Sequence, residues 1–258
     1  MICNVITAIF GFPASVAVLW ELFQKHRRGT PTTPNDVFML NLTVMDMIFL
    51  FFLPMEVCNY VIFKNWKIQF FCNFLNAFNV SGRPLFMTCI CLDCYLAVVH
   101  PIMYRARRGL TSRVLMCVVV WAVTLATGVV YSLFNMELGN NPITVMPFVV
   151  AILITGICDF FILRALKSSD PAGRKLHPQK KKALQIIINS LVMTLLAYLP
   201  QVFLFIGERL TMTTAFYKCV LYVPFLIITA SSAAVMPVLY LSDLGKLDRV
   251  WLWCHKTT

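Results

Sequence analysis

The chain has 258 residues, 59% of them hydrophobic and 13% charged, with a formal net charge of +11. A soluble domain carries about a quarter charged residues, so this composition, with a mean hydropathy of +0.77, excludes an ordinary soluble enzyme and points to an integral membrane protein. The Lys and Arg residues sit in short loops between apolar runs, which is a topology signal and speaks against nucleic acid as a partner.

A membrane-crossing helix needs about 20 mostly apolar residues. Seven such stretches follow one another, at about 2–24, 35–63, 68–100, 111–134, 144–167, 182–207 and 216–241. None alternates in the manner of barrel strands, so a β-barrel is excluded. The first run begins almost at Met1 and is expected to serve as its own insertion signal. Of the 22 basic residues, 17 fall at the ends of spans one, three, five and seven or in the segments that follow them. The opposite loops hold Lys64, Lys67, Arg209 and Lys218, and Arg83 lies inside a span. This asymmetry predicts a plasma-membrane, multi-pass topology with the N-terminus outside. Residues 168–182, SSDPAGRKLHPQKKK, read as a mobile hydrophilic linker. Past the seventh span, SDLGKLDRVWLWC (242–254) is too short and too charged to cross. Leu244, Leu247, Val250, Trp251 and Cys254 recur there at helical spacing, so a short C-terminal interfacial helix is expected, with Cys254 either palmitoylated or unmodified. The expected organisation is an all-α seven-transmembrane helix bundle over 1–241, followed by the interfacial helix and tail over 242–258.

Specific residues now add to the pattern. Asn41-Leu-Thr-Val-Met-Asp46, DCYLAVVHP at 93–101, Trp121, Ala197-Tyr-Leu-Pro200 and Met236-Pro-Val-Leu-Tyr240 occur in order along the spans. In order and spacing the chain resembles the rhodopsin-like (class A) G-protein-coupled receptors. GFPASVAVLW at 11–20 is similar to the opening of their nucleotide, protease-activated and lipid receptor branch. The resemblance implies a receptor that binds an extracellular ligand, bends its sixth helix at Pro200 and exposes a basic face to a heterotrimeric G protein. It implies no enzyme, cofactor or metal. The activation switch would comprise Asp93, Cys94, Tyr95, Tyr198, Pro200, Met236, Pro237 and Tyr240.

The departures are equally specific. Cys94 stands where the family has arginine, Met236 where it has asparagine, and Tyr198 where it has tryptophan. Asp159 takes the fifth-helix tyrosine position, and Lys180 stands near an acid position at the foot of helix six. A thiol is neutral and a weak donor, so it cannot do a guanidinium's work. A second reading follows: a receptor-like membrane protein without G-protein coupling, acting as decoy, scaffold or dimer partner. A transporter would show repeats or broken helices in matching halves, and none is visible.

Ionisable residues inside spans cost roughly 2.5–3.5 kcal/mol each on insertion scales, and two stand out, Asp46 and Arg83. The resemblance gives Asp46 the place of an aspartate that helps bind sodium, and puts Arg83 opposite it. A buried Asp46–Arg83 ion pair is expected, with the guanidinium in place of sodium; the alternative turns Arg83 toward water or carbonyls. Asn73, Asn76, Asn79 and Arg83 fall within about a third of the helical wheel and should face the interior, Asn79 in interhelical hydrogen bonds. Glu56, Tyr60, Asn73, Asn76, Phe203 and Phe205 are candidates for a ligand pocket. Glu56 either meets a cationic ligand group, hydrogen-bonds Asn76 or reaches the surface. Asn76 at the amine-binding position disfavours a monoamine. Phe205 and Leu226, where nucleotide relatives carry basic residues, disfavour a nucleotide, while a lipid stays open. Cys3–Cys219 and Cys58–Cys72 are possible pairs, and four free thiols are the alternative. Asn41-Leu-Thr and Asn79-Val-Ser match the glycosylation pattern inside spans and are read as unmodified.

Overall fold

A computed structural model describes residues 2–29, 34–106, 109–134, 142–168, 178–194, 198, 199, 202 and 232–241. Among them the chain is helical, with no strand. We number the helices α1 (Ile2–Arg27), α2 (Pro34–Cys58), α3 (Trp66–Ala77), α4 (Arg83–Val99), α5 (Pro101–Ala106), α6 (Leu110–Phe134), α7 (Pro142–Ser168) and α8 (Pro178–Met193), and α9 (Ser232–Leu241). Five spans among the described residues are long and apolar enough to cross a membrane: Thr7–Arg27, Asn35–Phe63, Trp66–Val99, Thr111–Leu133 and Met146–Ala165. They fall on the first five predicted runs. Helices α8 and α9 fall on the sixth and the end of the seventh. Pro200, Phe203, Phe205 and the segment 242–258 lie outside the described residues, as does the side chain of Tyr60.

The third span is continuous from Trp66 to Val99 but changes pitch once. A π-helical turn, Phe78–Gly82, joins α3 to α4, and the Arg83 backbone N–H closes it on the Phe78 carbonyl. A second π-helical turn, Asn59–Phe63, ends α2. Asparagines build the corner that follows. Lys64 takes a left-handed φ of 47° and donates its N–H to Asn59 O at 2.8 Å. Asn59 Oδ1 accepts from the Asn65 N–H, and Asn65 Oδ1 caps α3 by accepting from the Lys67 N–H. Short polar side chains satisfy the donors that a turn leaves open.

In a bilayer the apolar solvent lies outside, so large apolar residues appear on both faces of a spanning helix. Helix α6 shows this plainly. Val114, Leu115, Val118, Val119, Leu125, Val129 and Leu133 are exposed, whereas Cys117, Val120, Thr124 and Gly128 face the bundle. The main core joins Val18, Phe38, Leu42, Met45, Phe78, Phe86, Phe148, Met193, Tyr198 and Met236. Trp121 meets Phe78 and Phe86 edge-on, at centroid distances of 5.8 and 6.3 Å. It also donates Nε1–H to Asn41 Oδ1 at 3.0 Å, which ties α6 to α2. Several buried hydroxyls are satisfied by carbonyls one turn back, as in Thr43 to Met39 O and Thr124 to Val120 O.

Small residues set the closest approaches, as lipid-embedded helices require. A Cβ on Gly128 would lie 2.9 Å from Phe74 Cδ2 and 3.1 Å from the Phe74 backbone oxygen. The backbone oxygen cannot rotate away, so Gly128→Ala is expected to part α6 from α3 at a cost of about 1–3 kcal/mol. Thermal unfolding in lipid nanodiscs checks this; an unchanged midpoint would show that the contact can give.

Candidate functional site

Three polar groups stand out in the described bundle. The deepest centres on Arg83, 1% exposed. Its Nε lies 2.7 Å from Asp46 Oδ1, with both side chains 1% exposed. Nη1 donates to Asn79 Oδ1 and to Ser232 Oγ, each at 2.7 Å. One side chain therefore links the second, third and last spans. The Nε–Oδ1 contact is an ion pair that lies off the hydrogen-bond direction, and Asp46 Oδ2 and Arg83 Nη2 have no hydrogen-bond partner among the described residues. The pair compensates charge without saturating its hydrogen bonds. Among the described residues Asn79 bonds Arg83 within its own span, and Arg83 carries the contact on to Asp46 and Ser232. Tyr198, 4% exposed, packs edge-on against Phe148 at 5.8 Å, and its hydroxyl also has no hydrogen-bond partner among the described residues.

The second group lies toward the end of the bundle where α2 meets α3. Asn76 Nδ2 donates to Glu56 Oε1 at 3.3 Å. Of the alternatives for Glu56, the structure records the bond to Asn76. Gln69 Nε2 donates to Asn73 Oδ1 at 3.0 Å, so buried Asn73 is engaged within α3. Cys58 and Cys72 are both free, the first exposed and the second buried. The Cys58–Cys72 pairing is therefore corrected: one thiol points outward from α2 while the other is packed inside α3.

The third group is at the basic end. Asp93 Oδ1 accepts from Arg113 Nε at 3.2 Å, and Asp93 Oδ2 accepts from the Tyr104 hydroxyl at 3.3 Å. Arg113 also sits over the Tyr104 ring, 5.6 Å from its centroid. The carboxylate thus gains a guanidinium from α6 where its sequence neighbour supplies none. Cys94 is buried instead against Ile162 and Ile187, with Tyr95 and Val98 alongside. Tyr95 packs on His100 and Phe161, at 5.7 and 6.2 Å. Met236 and Pro237 are buried and Tyr240 is half-buried in α9.

Sequence reasoning did not find Arg113, Tyr104 or Ser232. Arg113 counted only toward loop charge, and a partner 20 positions from Asp93 follows no helical spacing.

The arrangement defines a class: a membrane-embedded helical receptor bundle, with a polar tie at its centre and a charged anchor at its basic end. Residues 14–142 match the 7 transmembrane receptor (rhodopsin family), and the chain belongs to that family of G-protein-coupled receptors. It is similar to lysophosphatidic acid receptor 6 of Gallus gallus, 27% identical over 277 aligned positions, covering 91% of this chain and 88% of the relative. It is similar to a purinoceptor of Gallus gallus, 24% identical over 220 positions, covering 74% of this chain and 66% of the relative. Lysophosphatidic acid receptor 4 of Homo sapiens is 26% identical over 191 positions, covering 64% of this chain and 51% of the relative.

Proposed function

We propose that this receptor sits in the plasma membrane with its N-terminus outside, and that it answers an extracellular lipid by opening its basic end to a heterotrimeric G protein. The observation that carries the reading is the Arg83 cluster. A guanidinium that holds Asp46, Asn79 and Ser232 together joins three spans at the bundle centre, so a shift of the last span against the third must break or remake it. Asp93, Cys94, Tyr95, Tyr198, Pro200, Met236, Pro237 and Tyr240 form the proposed switch. Glu56, Tyr60, Asn73, Asn76, Phe203 and Phe205 form the proposed pocket. The positive-inside asymmetry supports the orientation. The similarity to a lysophosphatidic acid receptor over 91% of the chain supports a lipid. Positions 1–241 form the bundle and 242–258 the interfacial segment in this reading.

The test is guanine-nucleotide exchange in membranes holding the native chain and Cys94→Arg, screened with lysophospholipids and with nucleotides. Lipid-stimulated exchange by the native chain is the expected result. A response to nucleotides alone would overturn the ligand class. Silence of both chains, with surface expression confirmed, would overturn coupling.

Arg83 carries a further expectation. The guanidinium already supplies the positive charge at Asp46, so ligand affinity should be the same in sodium and in choline buffers. A sodium-dependent shift in lipid binding would show that Asp46 is free to take a cation.

A further inference from the structure

At the basic end a second polar group lies outside the switch described above. Cys91 in α4 donates to Ser190 Oγ in α8 at 3.3 Å. Ser190 in turn donates to Asp159 Oδ2 in α7 at 2.8 Å. Cys91, Ser190 and Asp159 are 0%, 1% and 7% exposed, and Asp159 Oδ1 has no hydrogen-bond partner among the described residues. The chain of bonds crosses three spans with no contribution from α1, α2 or α9.

Its register is informative. The apolar cluster at Cys94 joins the same three helices through Ile162 and Ile187. Each of its members lies three positions from a member of the polar chain: Cys94 from Cys91, Ile162 from Asp159 and Ile187 from Ser190. Residues three apart share a helix face, so the two sets are parallel layers, one apolar and one polar, closing the same seam. The apolar layer is non-directional and tolerates sliding. The polar layer does not, because hydrogen bonds weaken steeply with distance and angle, and a buried carboxylate left unpartnered in a membrane is costly.

We propose that Cys91, Ser190 and Asp159 form a latch that holds the sixth span against the third and fifth in the resting receptor. The inference rests on the reading of the chain as a receptor whose sixth span moves, and it adds the contact that restrains that motion. Ser190 is the pivot, donating to one neighbour while accepting from the other. Outward displacement of α8 breaks both bonds together and opens the seam to water, which then solvates Asp159.

The test is hydrogen–deuterium exchange of the full chain in lipid nanodiscs, comparing residues 184–194 with residues 111–133 as internal reference. Ser190→Ala and Asp159→Ala are expected to raise exchange of 184–194 by about tenfold and to leave 111–133 unchanged. Ser190→Thr keeps the hydroxyl and should retain native protection. Unchanged exchange in both alanine variants would overturn the latch. So would equal acceleration in the two segments, which would mark a general loss of packing. G-protein activation by the same variants is read separately. Local acceleration with raised basal activation supports latch and coupling together. Local acceleration without activation by any variant leaves the latch standing and rejects coupling.

Discussion

Replacing Arg83 with Leu should destabilise the receptor by about 3–5 kcal/mol, because it strands the Asp46 carboxylate in the bundle centre. Asp46→Leu should cost a similar amount by stranding the guanidinium. For a chain of this size the thermal midpoint then falls by roughly 10 °C. The double variant Arg83→Leu/Asp46→Leu should recover most of that loss, since removing both charges also removes the desolvation penalty. The recovery is what separates an ion pair from two independent packing residues. Additive losses in the double variant, measured by thermal unfolding in nanodiscs, would show that the two side chains do not act together. Asn79 and Ser232 lose their shared donor in the single Arg83 variant, so the cycle is not expected to close to zero.

Cys94→Arg should lower stability by about 2–4 kcal/mol even if it restores signalling. The thiol packs with Ile162 and Ile187, and the acid beside it is already held by Arg113 and Tyr104. A new guanidinium enters an apolar cluster beside an Asp93 that is already occupied, so it must displace Arg113, turn to the half-satisfied Asp159 one turn away, or stay unpaired. Cys94→Val, which keeps the apolar contact, should leave the midpoint nearly unchanged. Cys94→Arg combined with Arg113→Ala should regain part of the loss by freeing Asp93. Equal midpoints for Cys94→Arg and the native chain would mean that the inserted side chain reaches the basic surface.

The spans were legible in the sequence because hydrocarbon imposes one demand, length with apolarity, and the first five runs meet it without interruption. Asp46 and Arg83 were legible for the converse reason: ions are so costly there that the two imply each other once the resemblance sets them opposite. The partner of Asp93 was not legible. Arg113 lies on another helix, and nothing in linear spacing distinguishes an anchoring arginine from one that marks topology. The polar seam at Ser190 was hidden further, because a serine in an apolar run reads as neutral until its neighbours are known. Glu56 was legible only as alternatives, and the structure adds a hydrogen bond from Asn76 that holds its carboxylate within the proposed pocket. Phe203, Phe205 and Pro200 fall outside the described residues, so their proposed roles still rest on resemblance.

The π-helical turn at Phe78–Gly82 divides the third span into two angular frames. An α-helix advances about 100° per residue, and a wider turn holds one residue more than the α ladder would take. Removing one residue there would restore regular pitch and leave α3 and α4 on nearly the same relative bearing, because the wide turn already absorbs the extra residue. Asn73 and Asn76 would keep their bearing relative to Arg83, Asp93 and Cys94, whereas the same deletion in a regular stretch of the helix would turn them by about 100°. A one-residue change of length at this turn can therefore be absorbed without re-aiming either half of the helix. What such a receptor senses and how it reports can thus stay aligned while the length of one continuous helix changes.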